Sequence, residues 1–519
     1  MDNLRSDSLG WAISHILRFG DTDVFPVPFE YLAIKAFQTN VVKDLSGIDL
    51  NGYRTRSFTR QLIPKAKCGF RTVTQLDPID TIILNAVAYE SAGAIESFRA
   101  PKEQHVACSY RFDPQPDGVL FASGFGWNDF HAASKEHAAN EEITHVVCAD
   151  IADFYNQVYH HRLENALESS GIPAQRAKHV EKILLSLTSN NSRGIPIGPS
   201  CSAVFAEATL ADVDAFLQRK RIIHTRYVDD FRIFTTSHRD AIRALHDLTE
   251  YLHGTHRLSL QGLKTKILTV SDFIDDELYD PTEAEEAAKQ QKIIDFVLDI
   301  TGYSHPFDEL ETIEIPPEVE ISNVASVLTS LYQEATSGEL RPGLAKHVLR
   351  RAMALRSRVL VPYILLTLEQ SLPIFPDVIN YLVRVTNEKN AENIGHVLTE
   401  FISASDYRDL PLVRSWCLHA FASRPALCTK ESAFKVVEDT IDQSVSGRYG
   451  ALIARAYGSI DWVRERKETW ANTPPCVQRA IVWASTILSS DERNSWLRGP
   501  ENAGDLLLQI VSKYAKSQP

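Results

Sequence analysis

The chain reads as an α+β half followed by an all-α half, and three observations carry that reading. Up to about Thr269, short β-branched or aromatic runs (Thr144 to Val147, Ile222 to Val228, Phe231 to Thr235, Lys266 to Val270) alternate with helical patterns. Beyond about residue 290 strand signals vanish, and helices of roughly three to four turns are punctuated by Pro342, Pro362, Pro373, Pro376, Pro411, Pro425 and Pro474. The length, 519 residues, calls for two or three domains rather than one core. The expected division is an α+β region at 1–270, an acidic linker or exposed helix at 271–292, and a helical domain of HEAT-like helix pairs at 293–519.

Composition narrows the function. A net charge of −13 argues against a protein whose whole surface clamps nucleic acid, although a local basic groove is compatible with it. A hydrophobic share of 44% and a charged share of 23% are those of a globular protein. The seven cysteines are scattered without a CxxC pair, which argues against a disulfide framework or a structural zinc. The N-terminus lacks the pattern of a signal peptide, and the most apolar stretch, Val359 to Leu368, is too short to span a membrane. A soluble protein of a reducing compartment is expected.

Taken in order, the first element with a chemical signature is a basic stretch interleaved with aromatics: Arg54, Arg56, Phe58, Arg60, Lys65, Lys67, Phe70 and Arg71. It reads as a hairpin turning at Lys67-Cys68-Gly69. Next, Thr144-His-Val-Val-Cys-Ala-Asp150 is a β-like run that ends in a carboxylate. His160-His161 follows without a partner at ligand spacing, so a structural histidine is expected there. Ile222 to Thr235 reads as a hairpin with Asp229-Asp230 at its centre. Carboxylates from two strand ends can hold two hard divalent cations about 3.5–4 Å apart, and all-oxygen ligands favour Mg²⁺ or Mn²⁺ over zinc. In the helical half, Trp416, Trp462, Trp470, Trp483 and Trp496 are expected in the packing between helices. The series Arg341, Lys346, Arg350, Arg351, Arg356 and Arg358 is either a solvated face or a nucleic-acid face.

These residues match a family. Asp150-Ile-Ala-Asp-Phe-Tyr155 with His160 and Leu163 resembles motif A of the reverse transcriptase palm, and Gly194-Ile-Pro-Ile-Gly-Pro-Ser-Cys-Ser202 resembles motif B. Tyr227-Val-Asp-Asp230 resembles motif C, and Leu258 to Lys266 resembles motif D. Ile63 to Val73 is similar to the fingers motifs, and Ser109-Tyr-Arg-Phe112 to the segment entering the palm. The resemblance implies a fingers-palm fold with Asp150, Asp229 and Asp230 as metal ligands. It implies Tyr155 as the ring that excludes a 2′-hydroxyl, so that dNTPs are the substrate. Lys65 and Arg71 would grip the triphosphate. Lys264 is either a general acid for pyrophosphate departure or an ordinary surface lysine. Gly194 and Gly198 would let backbone approach the nucleotide.

Ile197 stands where templated reverse transcriptases carry Gln, and an acidic stretch follows motif D where they continue into a basic thumb. In both respects, and in Phe19 to Glu30, the chain resembles the AbiK-like abortive-infection (Abi) reverse transcriptases of bacteria, phage-defence polymerases that join a thumbless palm to a helical-repeat domain. That resemblance implies a cytoplasmic bacterial enzyme without a membrane partner. It implies template-independent DNA synthesis primed by a tyrosine of the protein, a single-stranded DNA product attached covalently, and a homo-oligomer, trimer or hexamer. Tyr31 and Tyr53, outside the palm motifs, are the priming candidates. Two other readings stay open: a templated polymerase of retron or group II intron type, and a scaffold with a degenerate polymerase domain.

Overall fold

The computed structural model describes residues 2–66, 69–278, 321–403 and 410–519. The acidic stretch beyond Leu278 and the hairpin tip at Lys67-Cys68 therefore lie outside the described residues. Its parts group into two compact units that interleave along the chain. The first comprises Met1–Ile16, Asn40–Phe58 and Ile79–Glu286, and the second Leu17–Thr39, Thr59–Pro78 and Ala287–Pro519.

The first unit is built on a four-stranded antiparallel sheet, β3 (His145–Asp150), β4 (Ile223–Tyr227), β5 (Asp230–Thr235) and β6 (Lys266–Thr269), in the order β4-β5-β3-β6. Alternation places Val146, Cys148 and Asp150 on one face of β3. Val146 and Cys148 pack there with Phe234 and Phe273, which leaves Asp150 at the strand's open end. Around the sheet lie the helices Trp127–Ala138, His238–Tyr251 and Cys201–Arg219. The last is buried nearly all round, and its small residues Ala203, Ala206, Ala208 and Ala211 let it lie close to its neighbours.

Among its described residues the second unit is helical apart from one hairpin, β1 (Thr59–Pro64) with β2 (Phe70–Gln75). Its helices stack in a run: Ile321–Thr336 on Pro342–Ala354, then Phe375–Val385, Pro411–Ser423, Gln443–Ala456, Pro475–Ala484 and Leu506–Ser517. The tryptophans sit inside this array, as expected. Trp416 is buried and donates its indole N–H to the Val24 carbonyl at 2.8 Å, and Trp483 stacks on Phe29 and Tyr514. Trp462, Trp470 and Trp496 are partly buried against the core formed by Ala451, Ile481 and their neighbours. The N-terminal segment is tied in by a buried charge cluster. Both Glu30 oxygens accept from Arg448 at 2.7 Å, Arg479 Nε donates to Glu30 at 3.0 Å, and Arg479 also pairs with Asp77 at 3.0 Å.

Half of the basic series in this unit is paired with acids. Arg341 pairs with Glu334, Lys346 and Arg350 face Asp377, and Arg351 is buried beside His347. Of the two readings, an open nucleic-acid face is the one this pairing disfavours.

Candidate active site

Three aspartates meet at one end of the two central strands. Asp150 on β3 and Asp230 on β5 are direct register partners, and the two-residue loop Val228-Asp229 joins β4 to β5 beside them. The Ile151 N–H donates to the Asp229 carbonyl at 3.0 Å, which pins that loop to the end of β3. Burial pushes the Asp230 carboxyl up to about 7, helped by the Asp150 and Asp229 charges and opposed by Arg232 and Lys264. The three side chains offer carboxylate oxygens, the donors a hard divalent cation takes, although as they stand these oxygens do not all lie within 4.8 Å of one another.

The motif D segment is zipped onto the same end. Gln261 N–H donates to the Asp150 carbonyl at 2.7 Å and Ala152 N–H to the Ser259 carbonyl at 2.9 Å. This brings the exposed Lys264 ammonium to 3.0 Å from Asp150 Oδ1. Lys264 thus stands at a carboxylate of the cluster.

Tyr155 follows Asp150 on the short helix Phe154–Gln157. Phe154 is buried while Tyr155 is only partly so. Its phenol is held well above its ordinary pKa, first by desolvation and then by Tyr110, Glu207, Asp229 and Tyr227, so it stays neutral and lies near the carboxylates. The Tyr155 carbonyl accepts from Ile195 N–H at 2.8 Å, which ties it to the Gly194–Gly198 loop. Gly194 and Gly198 have φ of +102° and +133°, and this conformation explains their glycine without reference to a ligand. A Cβ on Gly194 would meet its nearest atom, the Asn156 carbonyl oxygen, at an ordinary 3.5 Å.

Lys65 and Arg71 are exposed near the tip of the β1-β2 hairpin, where Lys65 N–H closes the turn on the Gly69 carbonyl at 3.0 Å. That hairpin belongs to the second unit, whereas the aspartates, Tyr155, Gly194, Gly198 and Lys264 all belong to the first. Of the priming candidates, Tyr31 is buried in the second unit. Tyr53 in the first unit donates its hydroxyl to Asp80, a buried carboxylate that also accepts from Arg56 N–H at 2.7 Å.

His160 is structural, bonded through Nε2 to the Gly194 carbonyl at 2.7 Å. His161 departs from the expectation that it lacks partners. Its ring meets Glu164 at 3.3 Å and Glu181 at 2.9 Å, the latter contributed by the following helix, where sequence spacing did not reveal it. Lys178 pairs with both carboxylates, at 3.5 and 2.6 Å.

A comparison with family descriptions matches residues 63–297 to "Reverse transcriptase (RNA-dependent DNA polymerase)". The chain contains a reverse transcriptase domain. This domain indicates a nucleotidyltransferase of the reverse transcriptase type, and polymerases with such domains bind nucleotides and nucleic acid and use divalent metals. Solved structures that match include telomerase from Candida albicans with a TWJ fragment of telomeric RNA (13% identity over 78% of this chain and 70% of that one, TM-score 0.31). Apo telomerase from Candida tropicalis matches at 10% identity over 73% of each chain, with a TM-score of 0.34. No curated protein matches. The reverse transcriptase domain thus contains the aspartate cluster, and among the described residues no helix is long and apolar enough to cross a membrane.

Sequence reasoning missed the support beneath this site. His15 on the helix Ser6–Phe19 is buried, donates from Nδ1 to the Gly118 carbonyl at 2.7 Å, and accepts at Nε2 from Ser200, 2.6 Å away at the end of the motif B loop. Burial lowers its pKa to about 4, which keeps the ring neutral for that role. No local pattern announces it, because its partners lie 103 and 185 residues away.

Proposed function

We propose that the protein is an Abi-type DNA polymerase that joins dNTPs by two-metal chemistry, without a template, onto a tyrosine of its own chain. The observation that carries the reading is the crowding of Asp150, Asp229 and Asp230 at one end of the two central strands, with Asp230 forced towards protonation. Bound Mg²⁺, or Mn²⁺, would neutralise these carboxylates, activate the attacking oxygen and stabilise the departing pyrophosphate. Tyr155 would stand against the sugar and exclude a 2′-hydroxyl, Lys65 and Arg71 would hold the triphosphate, and Lys264 would protonate or steady the leaving group. The glycine loop, bonded to Tyr155 through Ile195, supports the placement of that ring.

The absence of a template is supported by Ile197 and by the acidic continuation after motif D, which repels a duplex. In the priming step a tyrosine Oη attacks the α-phosphorus, the bond to pyrophosphate breaks, and the phenolic proton leaves to a base. Between the candidates, Tyr53 is favoured because its hydroxyl already donates a hydrogen bond to Asp80, a carboxylate able to take the proton, whereas Tyr31 is buried. A homo-oligomer, trimer or hexamer, completes the proposal. Trp416 and Trp483 are buried within the fold, which leaves the partly exposed Trp462, Trp470 and Trp496 as the tryptophans open to an interface between its subunits.

Purified protein incubated with dNTPs and Mg²⁺, then trimmed with nuclease, should carry a nucleotide on one tyrosine by mass spectrometry. Tyr53→Phe is expected to abolish the adduct. Free DNA complementary to added RNA, with no nucleotide on the protein, would establish templated synthesis instead.

A further inference from the structure

Val228 occupies the first position of the two-residue loop between Tyr227 and Asp230, with φ of +54°. A two-residue hairpin loop with positive φ at its first position normally has Gly there, and a β-branched residue rarely enters that region. Something must hold Val228 in it. Both polar groups of this residue are engaged: its N–H donates to Ser109 Oγ at 2.8 Å, and its carbonyl accepts from Arg226 Nη1 at 2.8 Å.

Both holders are themselves fixed. The Ser109 hydroxyl donates to Glu207 at 2.5 Å. Arg226 is fully buried, with bonds of 2.8 and 2.6 Å to Asp214 and 3.0 Å to Glu207. Arg99 closes the set on Glu207 at 2.7 Å. Two guanidinium and two carboxylate groups in a core stabilise a fold no better than apolar packing would. What this arrangement supplies is a defined direction for the peptide that precedes Asp229.

We infer that Ser109 and Arg226, oriented by Glu207 and Asp214, are positioning residues that clamp Val228 in its left-handed conformation and thereby aim Asp229 and Asp230. The inference rests on the metal role proposed for those aspartates.

The test is a double-mutant cycle in the full chain. Ser109→Ala removes the acceptor of the Val228 N–H and should lower kcat for dNTP incorporation about tenfold. It should raise the half-saturating Mg²⁺ concentration while leaving the KM for dNTP nearly unchanged. Glycine reaches positive φ without the steric penalty of a β-branched side chain. In a Val228→Gly background the same Ser109→Ala change should therefore cost no more than about twofold. Mn²⁺ binding followed by electron paramagnetic resonance, without nucleotide, gives the same comparison independently of polymerisation, so failure of the proposed reaction and failure of the clamp are told apart. Ser109→Cys, close in shape, should shift every readout in the same direction by less, and it serves if Ser109→Ala does not fold. Equal losses in both backgrounds would overturn the clamp, as would a lowered melting temperature with an unchanged metal response.

Discussion

Asp229→Asn preserves the shape of the side chain and removes its charge, so it separates chemistry from folding at the candidate site. It is expected to abolish dNTP incorporation, with a melting temperature at or slightly above that of the wild type, because one of three mutually repelling carboxylates is gone. Incorporation assays beside a thermal melt check both halves. Tyr155→Ala is expected to raise the use of ribonucleotides relative to deoxynucleotides, read as a ratio of kcat/KM values. Asp150 and the Asp229-Asp230 pair were legible as candidates because a β-prone run that ends in a carboxylate shows its own period, whereas Tyr155 was named through the family resemblance. Ser109, Glu207 and Asp214 were not legible. They act through bonds that span 119, 19 and 12 residues to Val228 or Arg226, and nothing in the spacing of a serine or an acid on an apolar helix announces a partner so far off.

At the scale of the element, the motif B loop depends on a helix from the far N-terminus. His15 must be neutral to accept from Ser200 while it donates to Gly118. Its folded pKa, about 4, lies below the ordinary value of 6.5. The unfolded chain therefore binds the extra proton first, and the stability this element contributes is full above pH 6.5 and falls as pH drops towards 4. His15→Gln should flatten the pH dependence of the unfolding midpoint across that window and should reduce dNTP incorporation through the displaced loop. The strands at the catalytic end of the sheet were predictable element by element. What holds the loop was not, because hydrogen bonds to a backbone carbonyl and to a serine leave no trace in hydrophobic periodicity.

At the scale of the molecule, Glu30 is the residue to change. Glu30→Gln leaves Arg448 and Arg479 buried with one fewer charge between them, a loss on the order of 3–5 kcal/mol. Chemical denaturation should show a matching fall in midpoint. These guanidinium groups outweigh the burial that would raise its pKa and hold the Glu30 carboxyl at about 2, below its ordinary 4.5, so the pair stabilises fully above pH 4.5 and is lost as pH falls towards 2. The variant should lack that acid-sensitive component. The change from mixed to helical composition was plain in the strand signals. The packing of 17–39 and 59–78 with the helical half was not, since burial between segments hundreds of positions apart has no compositional signature.

That interleaving bears on how the protein is made. Glu30 and Arg448 are 418 residues apart, so at about 5–20 residues per second the ribosome needs roughly 20–80 s to deliver the partner after the carboxylate has been synthesised. Throughout that interval the newborn N-terminal segment carries a core-forming apolar surface and an acid whose partners are not yet made. Arrested chains released short of Arg448 should therefore aggregate or be degraded more readily than the full chain, which a comparison of their solubility and lifetime checks.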